Sequence, residues 1–306
     1  MSEKFKIVIG YVIISLIWGS TWLAIRLGLD SLTPLIASGL RFITASVLIY
    51  VFMKYMKVSL QLDSVSIKIY FFLGIFSYYI PFGLVYWGEQ YVPSGLASVI
   101  FAIFPFVVMF FSKLALKSEI IDRNKFIGVI SGFIGIYLIF SDDLSFDFSN
   151  YLWGMLAVLG SATLQAFSAV AIKKYGKHLN PISMNFLPVT IGGILLLASG
   201  VLFEDLSKIK IDGKAVASIL YLALFGTLIT FTIYYWLLKK INIVILSLSS
   251  FITPIIAVFL GWLLLNESLQ KNDIYGSLFV LLGLVFANLS GLKKYFTETM
   301  KVKRWE

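Results

Sequence analysis

Residues 82–105, FGLVYWGEQYVPSGLASVIFAIFP, and residues 231–254, FTIYYWLLKKINIVILSLSSFITP, decide the fold of this chain. The residues that match at a shift of 149 positions are Tyr86-Trp87 with Tyr235-Trp236, and Pro105 with Pro254. A shift of 148 pairs Glu119, Gly128 and Gly135 with Glu267, Gly276 and Gly283, and a shift of 147 pairs Arg26 with Lys173 and Pro34 with Pro181. Chance supplies a single match of this kind but hardly an ordered series, so we infer a duplicated unit.

The composition indicates a protein of the lipid bilayer. Of the 306 residues, 59% are hydrophobic and 13% are charged, and the mean hydropathy is +0.92. A soluble domain carries roughly 25% charged residues. The absence of cysteine excludes disulfides and thiolate metal sites, and the single histidine, His178, argues against a histidine metal site. We expect neither a metal nor a cofactor.

Ten apolar runs are long enough to cross about 30 Å of hydrocarbon. The predicted spans are 7–25, 33–53, 67–88, 92–112, 126–141, 151–172, 182–203, 215–238, 241–265 and 274–292. The net charge of +9 lies in the short gaps between these runs, which is typical of membrane topology and not of a nucleic-acid-binding face.

The distribution of basic residues predicts the orientation. An even number of spans places both termini on one side, and that side holds 19 of the 25 Lys and Arg residues. The other side holds five, and Arg41 lies within a span. Positive loops face the cytoplasm, so we expect both termini there.

Five spans per unit is an odd number, so the two units enter the membrane from opposite sides. We therefore predict an all-α membrane protein of two inverted five-helix repeats, 1–145 and 146–306. Inverted repeats are typical of transporters, whose substrate site lies near mid-membrane between the halves. A duplication that only produced a stable bundle is the simpler alternative.

Several short motifs resemble the EamA-type exporters of the drug/metabolite transporter superfamily. They are Trp18-Gly19-Ser20-Thr21, Arg41-Phe42, Val92-Pro93-Ser94-Gly95-Leu96-Ala97 and the paired Glu119/Gly128/Gly135 and Glu267/Gly276/Gly283. The resemblance covers nearly the whole chain. It implies ten helices with a central cavity, efflux of metabolites such as amino acids, and no enzymatic chemistry. We expect a plasma-membrane location in a prokaryotic cell.

Residues at helical spacing predict one wall of the cavity. Tyr78, Phe82 and Tyr86 share a face of the third span, and Thr227, Phe231 and Tyr235 take the matching positions in the eighth. An aromatic face with hydroxyl groups suits an amphipathic solute. Lipid contact or helix packing is the alternative for each residue.

Further candidates lie in spans 1, 4, 6 and 9. The candidate cavity residues are Trp18, Ser98, Phe101, Gln165 and Ser250. Gln165 is equally compatible with a hydrogen bond between helices. Pro105 and Pro254 free a carbonyl each and predict paired bends, which either shape the cavity or permit movement.

Arg41 is the exceptional residue of the sequence, because it lies seven residues past Pro34 inside a span. An unpaired arginine at that depth costs at least about 2.5–3.5 kcal/mol. Glu89 ends the third span near the same side. We expect an Arg41–Glu89 ion pair to offset the cost, with substrate binding by Arg41 as the alternative.

The predicted function is the export of small organic solutes, amino acids or related amphipathic molecules, by alternating access. The expected partners are the solute and the lipid bilayer, and a monomer is compatible with the sequence. No carboxylate lies at mid-membrane, which favours facilitated efflux or exchange over proton coupling. The alternatives are a flippase or carrier for lipid-linked or nucleotide sugars, and a receptor that transports nothing.

Overall fold

The computed structural model describes residues 2–92, 94–116, 123–140, 148–265 and, within 271–286, all but 273, 277 and 284, and this part is helical without strands. The helices are α1 Glu3–Leu29, α2 Pro34–Tyr55, α3 Ser64–Gly88, α4 Ser94–Phe101, α5 Phe104–Ala115, α6 Arg123–Phe140, α7 Phe148–Tyr175, α8 Pro181–Phe203, α9 Gly213–Lys240, α10 Ile243–Ser247, α11 Ser249–Leu265 and α12 Ile274–Gly283. Glu119 and Glu267 of the duplicated motif lie outside the described residues.

The helices follow the predicted spans. Seven are long and apolar enough to cross a membrane: α1, α2, α3, α4 continued by α5, α7, α8 and α9. Predicted span 5 coincides with α6, and predicted span 10 coincides with α12. Predicted span 9 coincides with α10 followed by α11. A multi-pass helical membrane architecture is confirmed, because a chain in lipid must satisfy its backbone groups within helices.

Two helices contain π-helical turns at their centres. One turn covers Gly74–Tyr79 in α3, and the other covers Leu224–Ile229 in α9. A π-turn widens the helix, disturbs the regular hydrogen-bond ladder and is frequent at functional sites. Both turns face the interior of the bundle, where Gly74, Gly226 and Thr227 are buried.

The two prolines take different positions in their helices, and the ninth span also divides, at Leu248 between α10 and α11. The fourth span divides into α4 and α5 at residues 102–103, directly before Pro105. Pro254, however, lies inside the continuous helix α11. The hydroxyl of Thr253 donates to the carbonyl of Ser250 at 2.9 Å. This is the carbonyl that Pro254 leaves without a backbone partner, which explains why the helix continues.

Glycines bring helices of the two halves into close contact. A Cβ atom on Gly135 of α6 would lie 2.4 Å from the carbonyl oxygen of Gly276 in α12. A Cβ atom on Gly283 of α12 would lie 2.5 Å from the carbonyl oxygen of Gly128 in α6. The two helices therefore touch backbone to backbone, as small residues allow in membranes.

Candidate functional site

An internal cavity lies between α1, α2, α3, α4, α5, α7, α9 and α11, and holds about 100 Å³ of space for solvent-sized molecules. Its aromatic wall consists of Trp18, Trp22, Phe82, Phe101, Phe104, Phe231, Tyr234 and Tyr235. Its polar groups are Thr21, Ser77, Gln165, Ser249, Ser250 and Thr253, and Arg41 is the charged residue among those that line it. Such a lining suits a solute that is largely apolar and carries negative charge.

Arg41 is buried, with 2% of its surface exposed, and hydrogen bonds hold its guanidinium in place. Its Nε donates to Thr227 Oγ1 at 3.0 Å, its Nη2 to the carbonyl of Gly226 at 3.1 Å, and its Nη1 to Tyr86 Oη at 3.4 Å. The guanidinium carbon lies 5.0 Å from the centre of the Phe82 ring. A guanidinium carries five N–H groups, so these contacts leave donors for a further ligand.

The π-helical turn of α9 supplies the acceptors that Arg41 requires. Arg41 takes the carbonyl of Gly226, and the Asn185 amide of α8 donates to the carbonyls of Thr227 and Leu228 at 3.2 and 3.4 Å. A Cβ atom on Gly226 would lie 3.2 Å from Arg41 Nη2. Glycine at this position therefore lets the guanidinium approach the backbone.

The expected Arg41–Glu89 ion pair is wrong. Glu89 is fully buried, and neither of its carboxylate oxygens has a hydrogen-bond partner in the described part of the chain. Arg26 Nη1 instead donates to the backbone carbonyl of Glu89 at 3.0 Å. The Thr227 hydroxyl, the Gly226 carbonyl and an aromatic ring stabilise the buried charge of Arg41. The first two acceptors are available because the π-turn exposes groups that a regular helix does not.

Lysine and arginine side chains join helices at the two ends of the bundle. At the end that we call the Arg26 end, Arg26 of α1 binds the last turn of α3 through Glu89 O. At the opposite end, called the Glu3 end, Lys173 Nζ of α7 donates to the carbonyls of Leu238 and Ile241 at 2.6 and 2.7 Å. Both cations sit at helix C-termini, where the helix dipole favours them.

Tyrosine hydroxyls connect α3, α8 and α9 behind the aromatic wall. Tyr78 Oη lies 2.9 Å from Tyr235 Oη and donates to Asn185 Oδ1 at 3.2 Å. Tyr78 is fully buried. The Asn185 amide group therefore links α8 to both α3 and α9.

The structure divides the predicted site residues into two groups. Those that line the cavity are Trp18, Arg41, Phe82, Phe101, Gln165, Phe231, Tyr235 and Ser250. Those that lie outside its lining are Tyr78, Tyr86, Ser98 and Thr227. Tyr86 and Thr227 contact Arg41, so they support the wall from behind.

Sequence reasoning missed part of the aromatic wall. Trp22 lies one helical turn after Trp18, so the periodicity of α1 offered a signal for it. Tyr234 lies three residues after Phe231 in the same regular part of α9, so helical periodicity offered a signal for it too. Phe104 carries no such signal, because it follows the break between α4 and α5.

Two stretches of the chain, 5–141 and 152–289, match the EamA-like transporter family. The chain belongs to this family. The uncharacterized transporter YoaV of Bacillus subtilis (strain 168) is 29% identical over 283 residues, which is 92% of this chain and 96% of that protein. A protein of Chlamydia trachomatis serovar L2 named as an S-adenosylmethionine/S-adenosylhomocysteine transporter is 25% identical over 87% of this chain and 84% of its own length.

The fold of this EamA-family chain also occurs among solved structures. One crystal structure superposes with a TM-score of 0.80 at 17% identity, over 95% of this chain and 99% of the other. At that identity the likeness shows the fold alone. Family membership establishes a membrane transporter whose solute is open, and no catalytic activity is indicated.

Proposed function

We propose that this EamA-family protein exports small organic solutes that carry a carboxylate beside an apolar or aromatic group, such as amino acids. Arg41 carries the proposal. It lines an aromatic cavity, it keeps unused N–H donors, and no acidic residue is among the described residues that line the cavity. A guanidinium binds a carboxylate with two parallel hydrogen bonds, whereas aromatic rings surround the apolar part.

The relative from Chlamydia fits this chemistry. S-adenosylmethionine and S-adenosylhomocysteine, after which that protein is named, both carry an amino-acid group and an aromatic base, joined through a ribose. The common feature that we propose for the solute of this chain is the amino-acid carboxylate. Substrate contacts then come from Trp18, Phe82, Phe101, Gln165, Phe231, Tyr235 and Ser250 around Arg41.

We further propose that the two halves, 1–145 and 146–306, are inverted repeats that alternate access to the cavity. The glycine contacts support this arrangement, because a shift of 148 converts the Gly135–Gly276 contact into the Gly283–Gly128 contact, as a two-fold axis requires. The π-turns support it too, since Gly74–Tyr79 and Leu224–Ile229 lie 150 positions apart.

The cation contacts at the two ends suit alternating access. Arg26 matches Lys173 at the shift of 147, and Glu89 matches Leu238 at the shift of 149. Each half therefore holds its first helix to the end of its third helix by the same kind of bond. In this proposal, release of one contact at a time opens one end of the cavity. The excess of basic residues supports a cytoplasmic position for the Glu3 end.

Counterflow in proteoliposomes tests the proposed solute class. Liposomes preloaded with an unlabelled amino acid are expected to accumulate the labelled one, whereas the corresponding amino-acid amide, which lacks the carboxylate, neither accumulates nor competes. Equal transport of the amide contradicts a role for the carboxylate. No counterflow of any amino acid or amino-acid conjugate contradicts the proposed function.

A further inference from the structure

Glu89 directly follows the last residue of α3 and carries a buried carboxyl group. It is 0% exposed, and neither oxygen of its side chain has a hydrogen-bond partner among the residues that the structure describes. Buried polar groups are nearly always hydrogen-bonded, and each exception calls for an explanation. Glu89 also lies where α1 and α3 are joined, because its backbone carbonyl accepts the hydrogen bond from Arg26.

The choice of acceptor by Arg26 indicates the state of the carboxyl group. An ionised carboxylate attracts a guanidinium more strongly than a backbone carbonyl does, since it accepts two charge-assisted hydrogen bonds. In the structure, Arg26 Nη1 donates to the backbone carbonyl of Glu89. The carboxyl group of Glu89 accepts no hydrogen bond from any described residue. This arrangement is the one expected for a protonated, neutral carboxyl group.

The charged and titratable groups around Glu89 come from three helices. Arg26 of α1 and Arg41 of α2 are the cations that act on it, and Tyr86 lies one turn earlier on α3 itself. Arg41 is already bound to Thr227 and other partners. The face of α7 that packs on the end of α3 presents Gly154, Ala157 and Val158 against Gly88, and these offer no charge.

We propose that Glu89 is a proton-binding site that controls the opening of the Arg26 end of the cavity. With the proton bound, Arg26 holds the carbonyl of Glu89 and this end is closed. When the proton leaves for water, the buried carboxylate must be hydrated, and the water that reaches it separates the end of α3 from the helices packed on it. The inference rests on the proposed function, because a transporter must open at this end to release its solute.

The absence of cysteine makes a direct test possible. A reporter Ile25→Cys lies on α1 beside Arg26 and lines the cavity, and its rate of alkylation by a membrane-impermeant maleimide measures opening of the Arg26 end. The reporter is placed in the otherwise unchanged chain and in chains that carry Glu89→Gln. Both are compared at the same pH, so that ionisation of the thiol cancels from the ratio.

Glu89→Gln keeps the shape of a protonated carboxyl group and cannot release a proton. At about pH 5.5 the two chains are expected to be labelled at similar rates, and at about pH 8.5 the chain with Glu89 is expected to react at least about fivefold faster. Glu204→Gln is the matched control: Glu204 lies at the same end, but its carboxylate accepts from the backbone amides of Leu35 and Ile36. The labelling rates of the Glu204→Gln chain and the chain with Glu204 are expected to be equal at both pH values.

A ratio that stays near one for Glu89→Gln at both pH values overturns the proposal. If Glu89→Gln does not yield folded protein, Arg26→Gln tests the same contact with the carboxyl group retained. Compared at the same pH with the chain that keeps Arg26, this variant is expected to be labelled several-fold faster at about pH 5.5 and at a similar rate at about pH 8.5, and a ratio near one at both pH values also overturns the proposal. The readout needs no solute, so it separates failure of the proton site from failure of the proposed transport.

Discussion

Arg41 Nε and Thr227 Oγ1 lie 3.0 Å apart, and this hydrogen bond joins α2 to the π-helical turn of α9. It links residue 41 to residue 227 across the two halves of the chain. The bond fixes the guanidinium at the cavity wall, and the guanidinium keeps N–H donors that none of its three hydrogen bonds uses. The same contact therefore stabilises a buried charge and orients a candidate binding group.

Arg41→Gln is expected to weaken transport of a carboxylate-bearing solute by about 10- to 100-fold, since a hydrogen bond to a charged group contributes about 1.5–3 kcal/mol. Initial rates of counterflow over a range of solute concentrations measure the change as a raised half-saturation concentration. Lys54→Gln removes an exposed cation from the same helix and is expected to leave the rates unchanged. Equal losses in both variants contradict a specific role for Arg41.

Gly135→Ala is expected to lower stability by about 1–3 kcal/mol, because overpacking of a tight contact costs this much. The added methyl group meets the Gly276 backbone, and α6 and α12 must separate to admit it. Thermal unfolding in detergent, followed by tryptophan fluorescence, measures the effect. Gly213→Ala is the matched control, because a Cβ atom there meets nothing within 4 Å. A normal melting temperature for Gly135→Ala contradicts the close helix contact.

Lys173→Met is expected to favour the state that is open at the Glu3 end, because the carbonyls of Leu238 and Ile241 lose their cation. A cysteine in place of Ile172, which lines the cavity, is expected to react several-fold faster with a maleimide supplied from that side. Lys174→Met changes the exposed neighbouring lysine and serves as the control. If both variants label alike, Lys173 does not hold this end closed.

Asp212→Asn is expected to destabilise the protein at neutral pH and to have less effect in acid. The Asp212 carboxylate accepts from the backbone amide of Ala215 and from the Ser31 hydroxyl, and these bonds hold its pKa below the usual value. A lowered pKa stabilises the fold above the unfolded-state value of about 3.9, and this contribution is lost as the pH falls through the folded value.

Melting temperatures of the wild type and Asp212→Asn measure this effect. The difference is expected to be constant from neutral pH to about pH 5 and to shrink below about pH 4. A difference that does not change with pH indicates that the substitution acts through shape and not through the charge of Asp212.

The helical segments could be predicted because lipid leaves a chain few choices. Apolar runs of sufficient length must be helical, so α1, α2 and α8 lie close to the predicted bounds. The duplicated residues led to the aromatic faces that contain Phe82 and Phe231, and both line the cavity.

The partner of Arg41 could not be predicted in the same way. The sequence offers Glu89 because it ends a span on the expected side, but the contacts of a buried cation depend on which acceptors the backbone exposes. No residue type marks the π-turn at Leu224–Ile229, so the carbonyl of Gly226 was not a visible candidate. The role of Arg26 was missed for the same reason, since its acceptor is a backbone atom.

The π-turn of α9 also has an evolutionary consequence. Such a turn is equivalent to a helix with one inserted residue, and loss of that residue rotates the following segment by about 100°. Phe231 and Tyr235 would then leave the cavity wall, and Arg41 would lose Gly226 as an acceptor. A single-codon deletion within Leu224–Ile229 would thus be far more disruptive than most substitutions there, and gaps at this position should separate lineages with different solutes.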